Sequence, residues 1–371
     1  MSRPAVARIR LDALRHNYRL AKQIHGGRAL AVIKANAYGH GAAKCAQALE
    51  DEADGFAVAS IEEALMLREA GIAAPILLLE GFFEVEELPE IAANKLWIVV
   101  HHLWQVEALA NARLDSPLTV WLKMDSGMHR VGLAPETYRS AYQRLRLSSN
   151  VAQIALMSHF ACADDPASAR PSQQIETFHK VVAGIDAPVS LSNSAGVLGW
   201  PSARADWARP GIMLYGVDPQ AGIGTTSDKR LRPVMQLESS VISVRSVPTG
   251  EPVGYGCAFV AVRPTRIGVV ACGYADGYPR AATTGTPVAV DGKQSRLIGR
   301  VSMDMLTIDL TDLPEAGLGS YVELWGDQIS VSEVANRAGT IAYELLCNVK
   351  RARFLYTNIP SSDMQSSDIQ A

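Results

Sequence analysis

Phe56-Ala-Val-Ala59, Ile61-Glu-Glu-Ala-Leu-Met-Leu-Arg-Glu-Ala-Gly71 and Ile76-Leu-Leu-Leu79 follow one another almost without interruption. Short apolar runs such as the first and third read as strands buried on both faces. The segment between them reads as a crossover helix, with Ile61, Ala64 and Leu65 on one side and Gly71 as the residue that ends it. Together they make a strand, helix, parallel strand unit. Working outward, similar runs occur at Leu30 to Ile33, Trp97 to Val100, Leu118 to Met124, Val151 to Met157, Pro188 to Leu191 and, more weakly, Asp206 to Arg209. Several of the intervals are about 21 residues, the length of one strand and helix with short loops. Eight such units predict an α/β fold of the (β/α)8 TIM-like barrel type. Ile212 to Tyr215 competes for the eighth strand; Asp206 to Arg209 is preferred because Pro210 and Gly211 then form the turn that follows.

Beyond about residue 230 the pattern changes to period-two segments separated by turn residues, as in Val241-Ile-Ser-Val-Arg-Ser-Val247 and Met305-Leu-Thr-Ile-Asp-Leu310. These predict a smaller, mainly β domain. One helix is expected near 331–338, started by a capping box of Ser330 and Glu333 and ended by Gly339. At 371 residues the chain exceeds what one hydrophobic core usually serves. The expected division is a cofactor-binding barrel over 1–229, a β-rich domain over 230–359, and a disordered tail rich in Ser, Asp and Gln over 360–371.

A net charge of -3 gives no basic field for nucleic acid or an anionic membrane. The first residues lack an apolar signal core, no run of 18 apolar residues occurs, and the five scattered cysteines form no CxxC pair. A cytoplasmic enzyme of small molecules, with no metal site, is the expected class.

Catalytic side chains of barrels stand at the C-terminal ends of strands. The first run ends at Lys34, where a partly desolvated amine can form a Schiff base and later act as a base. His159 follows the sixth run, Asn193 and Ser194 the seventh, and Arg209 closes the eighth, with the backbone N–H groups of Gly211 and Ile212 just beyond. Loops after strands seven and eight commonly hold phosphate. Singly, each residue has an ordinary structural role open to it, such as a core histidine, a helix cap, or an ion pair between Arg209 and Asp206. A phosphate site facing a strand-end lysine is what pyridoxal 5'-phosphate requires.

These residues carry a family resemblance. Ala31-Val-Ile-Lys-Ala-Asn-Ala-Tyr-Gly-His-Gly41 resembles the cofactor-lysine signature of the alanine racemases. The resemblance continues through Lys123-Met-Asp-Ser-Gly-Met-His-Arg-Val-Gly132, Asn193-Ser-Ala-Gly196, Arg209-Pro-Gly-Ile-Met-Leu-Tyr-Gly216, Gly254-Tyr-Gly256, Gly273-Tyr-Ala-Asp-Gly-Tyr278 and Gly299-Arg-Val-Ser-Met-Asp304, and extends to about Leu355.

The resemblance implies an isomerase that interconverts L- and D-alanine on pyridoxal phosphate, supplying D-alanine for peptidoglycan. It implies Lys34 as cofactor lysine and base toward D-alanine, and Tyr255 as the opposite-face base toward L-alanine. A phenol is a poor base at neutral pH until nearby positive charge favours the phenolate. Arg209 is implied to face the pyridine nitrogen, leaving it unprotonated. Tyr38, His159, Asn193, Ser194, Gly211 and Ile212 are implied cofactor contacts. Arg130 and Met303 are implied substrate contacts, with Lys123 carboxylated in many members and holding Arg130. Some members also place a tyrosine on the phosphate near the C-terminus; the matching stretch after Tyr343-Glu-Leu-Leu-Cys347 reads Asn-Val-Lys-Arg-Ala-Arg, with no tyrosine, and Arg351 is the cation it offers instead. The site is implied to be shared across a homodimer. Three other readings compete: a racemase of broader amino-acid range, a non-catalytic pyridoxal-phosphate-binding barrel, and a basic amino-acid decarboxylase. The second β domain argues against the barrel protein, and Arg209 against the decarboxylase.

Overall fold

The computed structural model of the chain describes residues 3–220 and 230–357. The expected tail over 360–371 lies outside them.

The opening strand β1 (Val6–Arg10) does not enter the barrel. The barrel's first strand is made of two halves, β2 (Arg28–Ala29) and β3 (Ala31–Val32). Its amides alternate between two neighbours: Leu30 and Val32 donate to Ala208 and Pro210, while Ala31 and Ile33 donate to Gly55 and Ala57. From β3 the parallel sheet continues through β4 (Phe56–Val58), β5 (Ile76–Leu78), β6 (Trp97–Val100), β7 (Leu118–Lys123), β8 (Val151–Met157) and β9 (Val189–Ser190). β10 (Trp207–Ala208) pairs with β2, and the Arg209 amide donates to Ser192 O at 2.8 Å, so the ring closes with eight strand positions. The eighth strand is therefore the Asp206 to Arg209 run, and Ile212–Tyr215 is a 3-10 turn.

α1 (Leu11–His25) leads from β1 into the barrel, and the elements between its strands are α2 (Lys34–Gly39), α3 (Ala42–Leu49), α4 (Ile61–Glu69), α5 (Leu88–Ala93), α6 (Leu103–Asn111), α7 (Pro135–Arg146), α8 (Arg170–Val182) and α9 (Ser194–Gly199). In α4 the buried residues are Ile61, Ala64 and Leu67; Leu65, expected inside, is only half-buried. Trp97, Trp121 and Trp207 meet with ring centroids 5.6 to 6.2 Å apart. Because β10 does not neighbour β6 or β7 in the sheet, these rings meet inside the barrel, and they fill it with packed side chains.

The second domain is built on the long strand β11 (Met235–Val247), followed by β12 (Pro252–Val253), β13 (Phe259–Val260), β14 (Thr265–Val270), β15 (Pro287–Val290), β16 (Lys293–Arg296), β17 (Leu306–Asp309), β18 (Tyr321–Trp325) and β19 (Arg353–Thr357). β1, expected within the barrel portion, lies between β11 and β19, antiparallel to the first and parallel to the second. Its alternation in Val-Ala-Arg-Ile-Arg gives no hint of partners more than 200 residues away. The two helices here are α10 (Val331–Arg337) and α11 (Ala342–Cys347). Ser330 caps α10 by accepting from the Ser332 amide, and Gly339 follows with φ +70.

α2 is the unusual element, since Ala35, Asn36, Ala37 and Tyr38 all have φ between +51 and +55. Four successive L-residues in the left-handed region cost on the order of 1–2 kcal/mol each, so surrounding contacts must hold them. The Tyr38 ring packs on Tyr215 at 4.9 Å, His40 stacks on Tyr215 at 4.4 Å, and the Asn36 side chain accepts from the Ala42 amide. The next residue, Gly39, has φ +81 and lies against α11, where a Cβ would overlap the Leu346 carbonyl oxygen. Gly71 has a similar φ of +87 with open space around it. Gly71→Ala is expected to lower unfolding free energy in urea by about 1 kcal/mol, the left-handed penalty alone. Gly39→Ala is expected to lower it by about 3 kcal/mol or more, because a backbone clash is added; equal losses would mean that α2 is not seated against α11.

Candidate active site

The strand ends converge on a cavity of about 680 Å³. Lys34, Tyr38, Lys123, Arg130, His159, Asn193, Ser194, Arg209, Gly211 and Ile212 all line it. The sequence reading assigned these ten positions from separate parts of the chain, and the fold brings them to one mouth. Tyr255 and Met303 are not among them: they lie on the β domain, 69% and 53% exposed.

Arg209 is buried, and its Nη1 donates to Ser190 O at 2.9 Å and Ser190 Oγ at 2.5 Å. Its Nη2 donates to Ser158 O at 2.7 Å and approaches His159 Nδ1 at 3.4 Å. The alternative ion pair with Asp206 is absent, because that carboxylate accepts the Val189 amide instead. Burial pushes the Arg209 guanidinium down to about 10, still charged at neutral pH. His159 is held well below its ordinary value, by burial first and then by Arg209, Lys123, Arg130 and Lys34. It is a neutral imidazole whose backbone carbonyl accepts from Gln174 on α8.

Asn193 caps α9 by accepting from the Gly196 amide at 2.9 Å. Ser194 has a different role, its Oγ accepting from the Gly211 amide at 2.8 Å and the Met213 amide at 3.3 Å. Gly211 is required by close approach, since a Cβ would sit 2.6 Å from the Tyr38 hydroxyl. Arg130 follows a loop braced by Asp125, whose Oδ1 accepts the Gly127, Met128 and His129 amides, each at 3.0 Å.

Lys123 is buried with no carboxylate within ion-pair distance among the described residues. Its ammonium is pushed down to about 8, by burial first and then by Arg209, Arg130 and Lys34. Among the lining residues, Lys34, Lys123, Arg130 and Arg209 carry positive charge against the single carboxylate of Glu80. Such a cavity selects a small ligand with several negative charges.

Of the lining residues that the sequence offers no reason to name, a tyrosine is the one whose hydroxyl suits a ligand phosphate. Tyr343 enters from α11, its ring 5.9 Å from that of Tyr38 and its phenol raised to about 12, by burial foremost. The resemblance implies a tyrosine after Cys347, while the one that reaches the cavity stands four residues before it. Arg351 is directed elsewhere, toward Asp304 at 3.0 Å and Asp276 at 3.8 Å, so it is no partner for a phosphate in this cavity.

Comparison with known proteins supplies the family. Residues 9–219 match the alanine racemase N-terminal domain, and residues 234–356 match the alanine racemase C-terminal domain. A protein of Pseudomonas putida named a catabolic alanine racemase is 63% identical over 349 residues, covering 94% of this chain and 98% of its own length. The crystal structure of the biosynthetic alanine racemase of Pseudomonas aeruginosa superimposes with a TM-score of 0.92 at 51% identity, covering 96% of this chain and 100% of that one. That of Bartonella henselae, solved with covalently bound pyridoxal phosphate, gives 0.84 at 30% identity, covering 95% and 99%. With a barrel, a β domain and a cationic mouth that suits a phosphorylated cofactor, this chain belongs to the alanine racemases, a family of pyridoxal-phosphate-dependent isomerases.

Proposed function

We propose that this protein racemises alanine in the barrel-mouth cavity, holding pyridoxal phosphate through Lys34 and drawing its second base, Tyr255, from a second copy of the chain. The observation that carries this reading is the convergence of ten assigned positions on one cavity with four cations and one carboxylate. The residues suit the cofactor at both ends. Tyr38 and Ser194 would offer hydroxyls and Ile212 a backbone amide for a phosphate, with Gly211, whose amide is held by Ser194 Oγ, letting the Tyr38 hydroxyl come close beside them. Asn193 and the neutral His159 line the same cavity and would border the cofactor's ring. Arg209 has both terminal nitrogens committed to barrel acceptors, so Nε is the donor left for the pyridine nitrogen. When bound, the cofactor withdraws electrons from the amino acid's α-carbon so that its proton can leave and return. An arginine that keeps its own proton there limits that withdrawal, which favours proton return over longer-lived side reactions.

Racemisation takes a proton from one face and returns one to the other, so two bases are needed. Lys34 serves the D-alanine face from within the cavity. Tyr255 and Met303, exposed on the β domain of the same chain, serve as the L-alanine base and a carboxylate contact when a homodimer brings them to the partner's cavity. Arg130 holds the substrate carboxylate at the rim. The two enantiomers are equal in free energy, so one enzyme suits either D-alanine supply for peptidoglycan or D-alanine breakdown, and substrate supply sets the direction.

Lys34→Ala is expected to abolish the visible absorbance of the bound cofactor. Tyr255→Phe is expected to keep that absorbance and lose about 10²-fold or more in turnover. Chains of the two variants, refolded together in equal amounts, are expected to recover about a quarter of wild-type activity: half of the dimers are mixed, and one of their two sites is intact. No recovery would refute the shared site.

A carbamate on Lys123 forms from the neutral amine, and an amine with a value of about 8 is roughly one-tenth neutral at pH 7, against less than a thousandth for an ordinary lysine. Its negative charge would face Arg130. Protein equilibrated with 13C-bicarbonate is expected to give a carbamate carbon signal that disappears in Lys123→Met; its absence in the wild type would leave Lys123 a free amine.

A further inference from the structure

Glu63 lies on α4, outside the set of residues lining the cavity, and was not singled out in the sequence. Its Oε1 accepts the backbone N–H of Ala35 at 2.6 Å, and its Oε2 accepts that of Ala59 at 2.8 Å. Ala35 is the residue after Lys34 and the first of the left-handed run; Ala59 directly follows the next barrel strand, β4. One carboxylate therefore ties together the tops of β3 and β4 at the point where the chain leaves its strand geometry. Hydrogen bonds to an ionised acceptor are roughly twice as strong as neutral ones, and neither amide has a second acceptor among the described residues. Without Glu63 the exposed Ala35 amide would turn to solvent and lose its tie to the neighbouring strand, while φ of +51 at that residue is itself unfavourable. The far end of the run has its own fastening, in Asn36, Gly39 and the rings of Tyr38 and Tyr215. The near end, where the lysine side chain takes its direction, has Glu63.

We propose that Glu63 is a positioning residue for Lys34, fixing the backbone that aims the lysine amine and thereby favouring its covalent bond to the cofactor. The proposal rests on the reading of Lys34 as the cofactor lysine. It calls for Glu63 to act on the covalent attachment and not on the cavity as a whole.

The test is a double-mutant cycle read on cofactor retention. Pyridoxal phosphate affinity is measured by equilibrium dialysis of apoprotein in the wild type, Glu63→Ala, Lys34→Ala and the double variant, with thermal midpoints as control for folding. Glu63→Ala is expected to weaken retention about tenfold and slow the appearance of the imine band when Lys34 is present, and to change affinity less than twofold when Lys34 is already alanine. Glu63→Gln, which keeps one acceptor oxygen, is expected to fall between wild type and Glu63→Ala. Equal weakening in both backgrounds would overturn the proposal, because Glu63 would then only shape the cavity; so would no weakening in either. If Glu63→Ala does not fold, the same comparison is made with Glu63→Gln. Failure of the underlying reading looks different: Lys34→Ala alone would then keep the imine band.

Discussion

A guanidinium buried at the mouth of the barrel sets the terms for everything around it. Arg209 stays charged after burial, and an unpaired buried cation is affordable only when its donors are met. Carbonyls at the ends of β8 and β9 meet them, together with the Ser190 hydroxyl, so the group also clips the last strands of the ring together. Its field then acts on the neighbouring groups. It helps keep His159 neutral and lowers Lys123, and it leaves the cavity with a surplus of positive charge that only an anionic ligand relieves.

Two lysines share this field, and their settings differ. Lys123 lies on β7, buried, and its ammonium is pushed down by burial and by the neighbouring cations. Lys34 is half-buried at the start of a left-handed run, fastened through Glu63, Asn36 and Tyr38. Position favours Lys34 as the cofactor lysine. The strained turn places Tyr38, a hydroxyl beside Gly211, within the same few residues as the amine, so phosphate and aldehyde ends can be held by one rigid segment. A carbamate on Lys123 would remove the competing amine and cancel one cation beside Arg130.

Much of the barrel was legible because strands buried on both faces are apolar throughout, and because reactive side chains follow them directly, as Lys34 follows Ile33 and His159 follows Ser158. The eighth strand pairs over only Trp207 and Ala208, too few residues to show a period, and was recognised through Pro210 and Gly211. Other features had no local signal. β1 alternates like many strands and finds its partners across the chain. Tyr343 comes to the cavity from the second domain, on a helix of six residues. Glu63 looks like any acidic residue in a first helical turn, where acids are common for dipole reasons; only the fold reveals that it accepts the amide after the lysine. The left-handed course of Ala35 to Tyr38 is likewise invisible, since alanine ordinarily avoids it.

Which amine carries the cofactor is the most direct question to put to this account. Borohydride reduction of the holoenzyme fixes the imine as a stable secondary amine, and peptide mass spectrometry then locates the label. The account predicts a pyridoxyl group on Lys34 and none on Lys123. A label on Lys123, or on a lysine outside the barrel mouth, would contradict it.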